Sequence, residues 1–233
     1  MRQHPRWYYN ELKQSGVDYA DSEEVNTYDL RMQNLRNIEN ESNCIRKLLK
    51  IKKSDVVLEI GTGTGELALN ISAHCKQVIA IDVSKNMINF ARRKAESQNK
   101  TNIQFYNAGF LTYENHDELF DVIVTQLALH HLPDYWKMMA LRRIHGMLKE
   151  EGKFYLHDVV FPSSIRNYDN YFDKIITDLE ISAGDKIAEE TEIHIKEEFS
   201  TLDWVMEGLL TGVGFYIEYI KYDGFMASYI CKK

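Results

Sequence analysis

Residues 56–67 read Val56-Val57-Leu58-Glu59-Ile60-Gly61-Thr62-Gly63-Thr64-Gly65-Glu66-Leu67. Four apolar residues and one carboxylate run straight into three glycines spaced two apart. A buried strand that opens into so much permissive backbone predicts a strand-to-helix turn that a ligand approaches closely, with no Cβ in the way. The helix beyond it offers free N–H groups and the positive end of its dipole. A tight turn needed only for packing is the alternative reading of a glycine run on its own.

Outward from this turn the chain alternates. QVIAID at 77–82 is a second strand, and SKNMINFARRKAESQN at 84–99 is an amphipathic helix with Ser84 as its N-cap. IQFYNA at 103–108 and FDVIVTQLA at 120–128 are further strands. YWKMMALRRIHGML at 135–148 is a helix, and GKFYLHDVV at 152–160 a fifth strand. Strands alternating with helices at this spacing predict an α/β protein with a parallel sheet covered on both faces. A helix over 200–215, capped by Ser200 or Thr201, precedes strands at 216–222 and 225–232. Asp223-Gly224 between those two strands signals a hairpin, so the parallel sheet is expected to end in an antiparallel pair.

The whole chain sets outer bounds. Its 233 residues suit one domain with a sizeable core and an added cap. A net charge of −7 makes nucleic acid an unexpected partner. No apolar run is long enough to span a membrane, and the N-terminus lacks the apolar core of a signal peptide. Cys44, Cys75 and Cys231 are few, odd in number and widely spaced, so they read as reduced thiols of a cytoplasmic protein. No metal cluster is expected from the sequence. Residues 1–50 read as a helical cap rich in aromatics, 51–162 as the Rossmann-like ligand-binding core, 163–200 as a charged helical insert, and 201–233 as the helix and hairpin that complete the sheet.

Asp82 ends the second strand, 21 residues after Gly61. A carboxylate there accepts hydrogen bonds from both hydroxyls of a ribose in doubly wound folds, or else holds the turn. The dinucleotide pattern G-x-G-x-x-G needs glycine at position 66, where Glu66 stands. Its charge would repel a pyrophosphate. The loop therefore suits a nucleoside ligand without phosphates better than NAD.

Taken in order, VVLEIGTGTGEL, VIAIDVSKNMINFARRKA, FYNAGFLTY, FDVIVTQLALHHLPD and LKEEGKFYLHDVV resemble the class I S-adenosylmethionine-dependent methyltransferases. The likeness is to the small-molecule branch related to quinone biosynthesis. It spans about residues 50–162, and 200–233 more loosely. It implies a Rossmann-like, doubly wound, seven-stranded and mostly parallel sheet. S-adenosylmethionine is the implied cofactor and S-adenosylhomocysteine its product. On that resemblance the loop Gly61, Thr62, Gly63 and Gly65 holds the methionine part of the cofactor. Glu59 matches the acid before the loop, its alternative role being a hydrogen bond to the loop backbone. Asp82 matches the ribose-binding acid. Val83 and Met87 match positions against adenine, or are core. Asn107 and Ala108 stand where an Asp-Ala pair reads the adenine edge, with Gly109 beside them as a further cofactor contact; Asn107 departs from the usual Asp, its alternative being a turn asparagine. Tyr28 matches a residue that closes over the cofactor, or is a core aromatic.

The acceptor should meet the methyl group where strands four and five end. Thr125 and Gln126 are expected to line the cofactor pocket there. His130 and His131 follow as candidate base or substrate contacts, with loop packing as their alternative. His157 and Asp158 lie on opposite faces of their strand, so only one faces the crevice; the resemblance implies that it is Asp158, where similar enzymes often carry a polar residue, the alternative being a buried carboxylate satisfied by nearby N–H groups. The aromatic N-terminus and the 163–200 insert are expected to form a substrate lid. The expected acceptor is a small, partly apolar molecule, and the chain a monomer or homodimer. A non-catalytic cofactor-binding protein, or a methyltransferase acting on nucleic acid or protein, remains the alternative.

Overall fold

The computed structural model describes residues 5–13, 29, 37–115 and 118–233. Helix α1 (Ile38–Leu49) leads into β1 (Val56–Ile60), α2 (Glu66–Ser72), β2 (Gln77–Asp82), α3 (Lys85–Ser97), β3 (Ile103–Asn107) and β4 (Phe120–Gln126). A 3-10 turn at Leu129–His131 precedes α4 (Asp134–Met147) and the long β5 (Leu148–Phe161). Two helices form the insert, α5 (Tyr168–Ala183) and α6 (Asp185–Glu197). The two-residue β6 (Thr201–Leu202), α7 (Asp203–Gly212), β7 (Tyr216–Asp223) and β8 (Met226–Lys232) close the chain.

The main sheet runs β3-β2-β1-β4-β5-β8-β7, and the short β6 pairs with the end of β5. Pairings from β3 to β5 are parallel, while β8 pairs antiparallel with β5 and β7. This is the expected doubly wound sheet with an antiparallel end. The central strands are buried on both faces and so read as unbroken apolar runs. Alternation still sorts the residues between the two faces. Leu58 and Ile60 pack with Leu141, Ile144 and Leu210 on the side of α4 and α7. Val57 packs with Ile45, Leu67 and Ile88 on the side of α1 to α3.

Local signals behave as their chemistry requires. Ser84 Oγ accepts the Met87 N–H at 3.2 Å and caps α3. Gly224 takes φ +61° in the β7–β8 turn. The expected cap on the helix after 200 is not made: α7 starts after Leu202, and no side chain caps it. Thr201 instead lies in β6, and the Ser200 hydroxyl turns to His194 Nε2 at 2.7 Å. Residues 5–13 of the expected helical cap form turns, with Trp7 and Tyr8 packed on Trp136 of α4. Among the described residues no helix is long and apolar enough to cross a membrane.

Candidate active site

All parallel strands point their carboxyl ends to one edge, and the order reverses between β1 and β4. Loops leaving these two strands diverge and open a crevice. A cavity of about 500 Å³ occupies it, within the ~300–1,000 Å³ usual for small-molecule sites.

The three glycines of the turn do different work. Gly61, at φ +75°, lies against the loop after β4, where a Cβ would stand 2.5 Å from that of Ala128. Gly65, at φ +80°, would meet Ala91 of α3 at 2.9 Å and does not reach the cavity. Gly65 is thus a packing glycine, contrary to its expected contact role. Gly63, at φ +53°, has nothing within 4 Å of the Cβ it lacks and faces the cavity. The loop is tied down behind it: Gly61 and Thr62 N–H donate to the Ile81 carbonyl at 2.9 and 3.0 Å. Glu59 Oε2 accepts the Thr62 hydroxyl at 2.8 Å, so its carboxylate braces the loop while also bordering the cavity.

Asp82 stands across from Gly63. Its Oδ2 accepts the Gly63 N–H and its Oδ1 the Ser84 N–H, both at 2.8 Å. Burial pushes its carboxyl above the usual range, against the pull of these two amides. Val83, Met87, Ala108 and Gly109 line the same end of the cavity. Gly109 is needed because Glu11 from the N-terminal segment sits where its Cβ would be. Glu11 accepts the Leu111 N–H through both oxygens and borders the cavity, a contact the sequence reading missed.

Two expected contacts are turned away. The Asn107 amide donates to the carbonyls of Asp82 and Val83 at 3.0 and 2.8 Å, and its exposed side chain does not line the cavity. Thr125 is fully buried, and its hydroxyl donates to the Ile60 carbonyl. It stitches β4 to β1, while its neighbour Gln126 does line the cavity. Leu127 next to it holds φ +51°, an unusual conformation for a bulky residue, at the crevice floor. Tyr28 lies outside the described residues.

At the other end of the cavity the two histidines meet the insert. Asp158 is fully buried and does not face the crevice. Its Oδ2 accepts Leu129 N–H and His130 N–H, and its Oδ1 lies 2.5 Å from His130 Nδ1. Asp158 therefore positions the LHH turn rather than touching a substrate. His157 faces the opposite way, to Ser228 at 2.8 Å. His130 Nε2 lies 3.1 Å from Glu198 Oε2, so its ring sits between two carboxylates. Burial would lower its pKa, but Asp158 and Glu198 outweigh it and raise it to about 9. The two carboxylates thus favour the protonated ring, the opposite of what a free general base needs. His131 is pushed down to about 4, by burial and then by the charge of His130. Glu198 would be raised by burial, yet the imidazoles of His130 and His194 hold it below the usual range.

Glu198 and His194 come from the end of α6 and were not singled out in the sequence. Their i, i+4 spacing at the end of a helical pattern was the one available signal. The segment after them is fastened to the site. Phe199 N–H donates to the His130 carbonyl at 2.9 Å, and the Phe199 carbonyl accepts from the buried Lys137 ammonium. Lys137 also pairs with Asp134 at 2.9 Å. The insert helices supply Leu179, Ile187 and Thr191 to the cavity wall, and the β7–β8 hairpin supplies Phe225 and Met226. The sequence suggested no metal cluster, whereas the fold brings one donor atom each of His130, His131 and Glu198 within 4.8 Å of one another.

A family model described as "Methyltransferase domain" matches residues 57–152. An uncharacterized methyltransferase of Bacillus licheniformis is 31% identical over 165 residues, 65% of this chain and 76% of that protein. The uncharacterized methyltransferase YcgJ of Bacillus subtilis is 33% identical over 106 residues, 46% of this chain and 41% of that protein's length. A solved S-adenosylmethionine-dependent methyltransferase from Clostridium acetobutylicum has the same fold, with a TM-score of 0.67 at 14% identity over 90% of this chain and 97% of that one. This chain belongs to the methyltransferases, and its fold is that of the solved S-adenosylmethionine-dependent ones.

Proposed function

We propose that the chain transfers a methyl group from S-adenosylmethionine to a small, partly apolar acceptor. The observation that carries this reading is the open face of Gly63 beside the Asp82 carboxylate, in a cavity that runs on to the His131 wall. A Cβ at Gly63 would fill that cradle, so the backbone there fits a closely held ligand. Gly63 and Glu59 suit the methionine part, Asp82 the ribose hydroxyls, and Val83 and Met87 the adenine face. Each Asp82 oxygen has a lone pair beyond the one its backbone amide takes. Asn107 stands behind this wall and supports it through the carbonyls of Asp82 and Val83.

When bound, the cofactor supplies a methyl group on a sulfonium, which leaves by in-line displacement. The protein's share is alignment and exclusion of water. Leu179, Ile187, Phe225 and Met226 give the acceptor end an apolar wall. This supports a small organic acceptor, as in the small-molecule branch the sequence resembles. Helices α5 and α6 act as the acceptor-side cover.

The test is thermal shift followed by transfer. A ligand at ~100 times its dissociation constant adds about 2.7 kcal/mol. S-adenosylmethionine and S-adenosylhomocysteine should each raise the melting temperature, and NAD should not. Methyl-labelled cofactor incubated with small-molecule extracts should then label a small product. Label found only in protein or nucleic acid, or a shift with NAD alone, sinks the reading.

A further inference from the structure

Three imidazoles crowd one carboxylate oxygen at the acceptor end of the cavity. Glu198 Oε2 lies 2.5 Å from His194 Nδ1, 3.1 Å from His130 Nε2 and 3.9 Å from His131 Nδ1. His130 and His194 pair with this oxygen as ions, but the angles are poor: Oε2 and His131 Nδ1 are buried and neither has a well-aligned hydrogen-bond partner. The Glu198 side chain is only 3% exposed. Buried carboxylates and imidazoles are normally hydrogen-bonded, so a converging set that is not requires a reason. An ion shared by the donors is one: binding displaces the proton that His130 Nε2 shares with Glu198, and the freed lone pairs then point to a common centre.

We infer that His130, His131 and Glu198 form a binding site for a divalent first-row transition metal ion. Their donor atoms lie within 4.8 Å of one another. Bonds of ~2.0–2.2 Å to one zinc-like ion place its donors about 3.0–3.5 Å apart. The His130–Glu198 spacing of 3.1 Å already falls there, and the His131–Glu198 spacing of 3.9 Å needs only a small ring movement. Two imidazoles and one carboxylate favour zinc, iron, cobalt or nickel over magnesium or calcium, which prefer all-oxygen shells.

The surroundings are those of a held ligand set. A ligating histidine characteristically gives its second nitrogen to a carboxylate, which fixes ring and tautomer. Asp158 does this for His130 through Nδ1 at 2.5 Å, and it is anchored in turn by the N–H groups of Leu129 and His130. His194 presses on Glu198 from the helix side, with its far nitrogen on Ser200 at 2.7 Å. Asp158 and His194 are positioning residues. Three protein ligands leave coordination positions open, and all three ligands line the cavity. The use of those positions rests on the methyl-transfer reading: they would orient an acceptor that presents an oxygen or nitrogen donor.

The experiment strips the full chain with chelator and titrates Co²⁺, reading the visible ligand-field bands, with S-adenosylhomocysteine titrated in parallel. One Co²⁺ per chain is expected, with bands of four- or five-coordinate intensity. Glu198→Gln and His131→Ala, each checked for folding by circular dichroism, should weaken it roughly a hundredfold, and Asp158→Asn about ten- to a hundredfold as outer-shell changes do. X-ray absorption on the wild-type Zn²⁺ complex needs no variant, and should show two imidazoles in the shell. No Co²⁺ binding, binding indifferent to Glu198→Gln and His131→Ala, or an all-oxygen shell overturns the site. Homocysteine-nucleoside binding without Co²⁺ binding ends the metal inference and leaves the methyltransferase reading standing. Co²⁺ binding without nucleoside binding does the reverse.

Discussion

The Asp82 carboxylate accepts the Gly63 N–H at 2.8 Å, so the acid expected to hold a ribose also holds the loop that faces it. Its second oxygen caps the Ser84 N–H at the same distance. Removing this side chain should therefore hurt twice. Asp82→Ala leaves two backbone donors without their charged acceptor, a loss of ~1–3 kcal/mol of apo stability. Cofactor affinity should fall about ten- to hundredfold at ~1.4 kcal/mol per decade. Denaturant unfolding and calorimetric titration with S-adenosylhomocysteine measure the two separately. A stability loss with unchanged affinity removes the ribose assignment and leaves Asp82 a turn residue.

The same carboxylate sets a pH dependence. Burial raises the Asp82 pKa above its ordinary 3.8. A raised carboxyl pKa means that the folded state holds the proton more tightly than the unfolded chain. Its contribution to stability is thus fullest below the unfolded pKa and is lost as pH rises through the folded one. Binding runs the other way, because the protonated acid loses an acceptor for the ribose. Affinity for S-adenosylhomocysteine should fall as pH drops from 7 through the folded pKa. In Asp82→Asn that acid limb should disappear while overall affinity stays low.

Gly61 and Gly63 should separate packing from binding. Gly61→Ala puts a Cβ 2.5 Å from that of Ala128, at φ +75°. Overpacking costs ~1–3 kcal/mol, and the left-handed backbone adds ~1–2 kcal/mol. Gly63→Ala bears only the backbone cost, since nothing lies within 4 Å of the new methyl group. That methyl enters the cradle, so Gly63→Ala should lose more affinity than stability, and Gly61→Ala should lose more stability. Melting curves and ligand titration on the pair decide it; equal losses in both variants contradict the division of labour.

Lys137 of α4 is a fully buried cation that holds the end of the insert through the Phe199 carbonyl and pairs within its own helix with Asp134. Lys137→Met should keep the bulk and lose both contacts. A buried carbonyl left without its donor costs ~1–3 kcal/mol. Amide exchange should speed up at residues 198–202 well before it does in β1 or β4, as local opening has a lower cost than global unfolding. Uniform exchange changes across the chain would place Lys137 in general core packing instead.

What the sequence alone determined is everything with a short period. Alternating apolar runs and helical spacing marked the strands and helices, Ser84 marked a cap, and Asp223-Gly224 marked the hairpin. The family motif and the spacing from Gly61 to Asp82 pointed to the proposed cradle, because both lie within one strand–helix–strand unit whose geometry is local. The tertiary structure decided what depends on packing between distant segments. Whether a glycine meets Ala128, Ala91 or open space is set by a neighbouring loop or helix, so Gly61, Gly65 and Gly63 read alike in the chain and differ in the fold. Thr125 looked like a crevice residue by strand position and Asp158 by the family likeness, yet a neighbouring carbonyl and the His130 turn claimed their polar atoms. Glu198, His194 and Glu11 reach the site from segments that carry no motif. Their burial beside His130 and under Leu111 follows from how α6 and the N-terminal segment dock. Docking is fixed by surface fit and by the need to satisfy buried polar groups, neither of which leaves a periodic trace in the sequence.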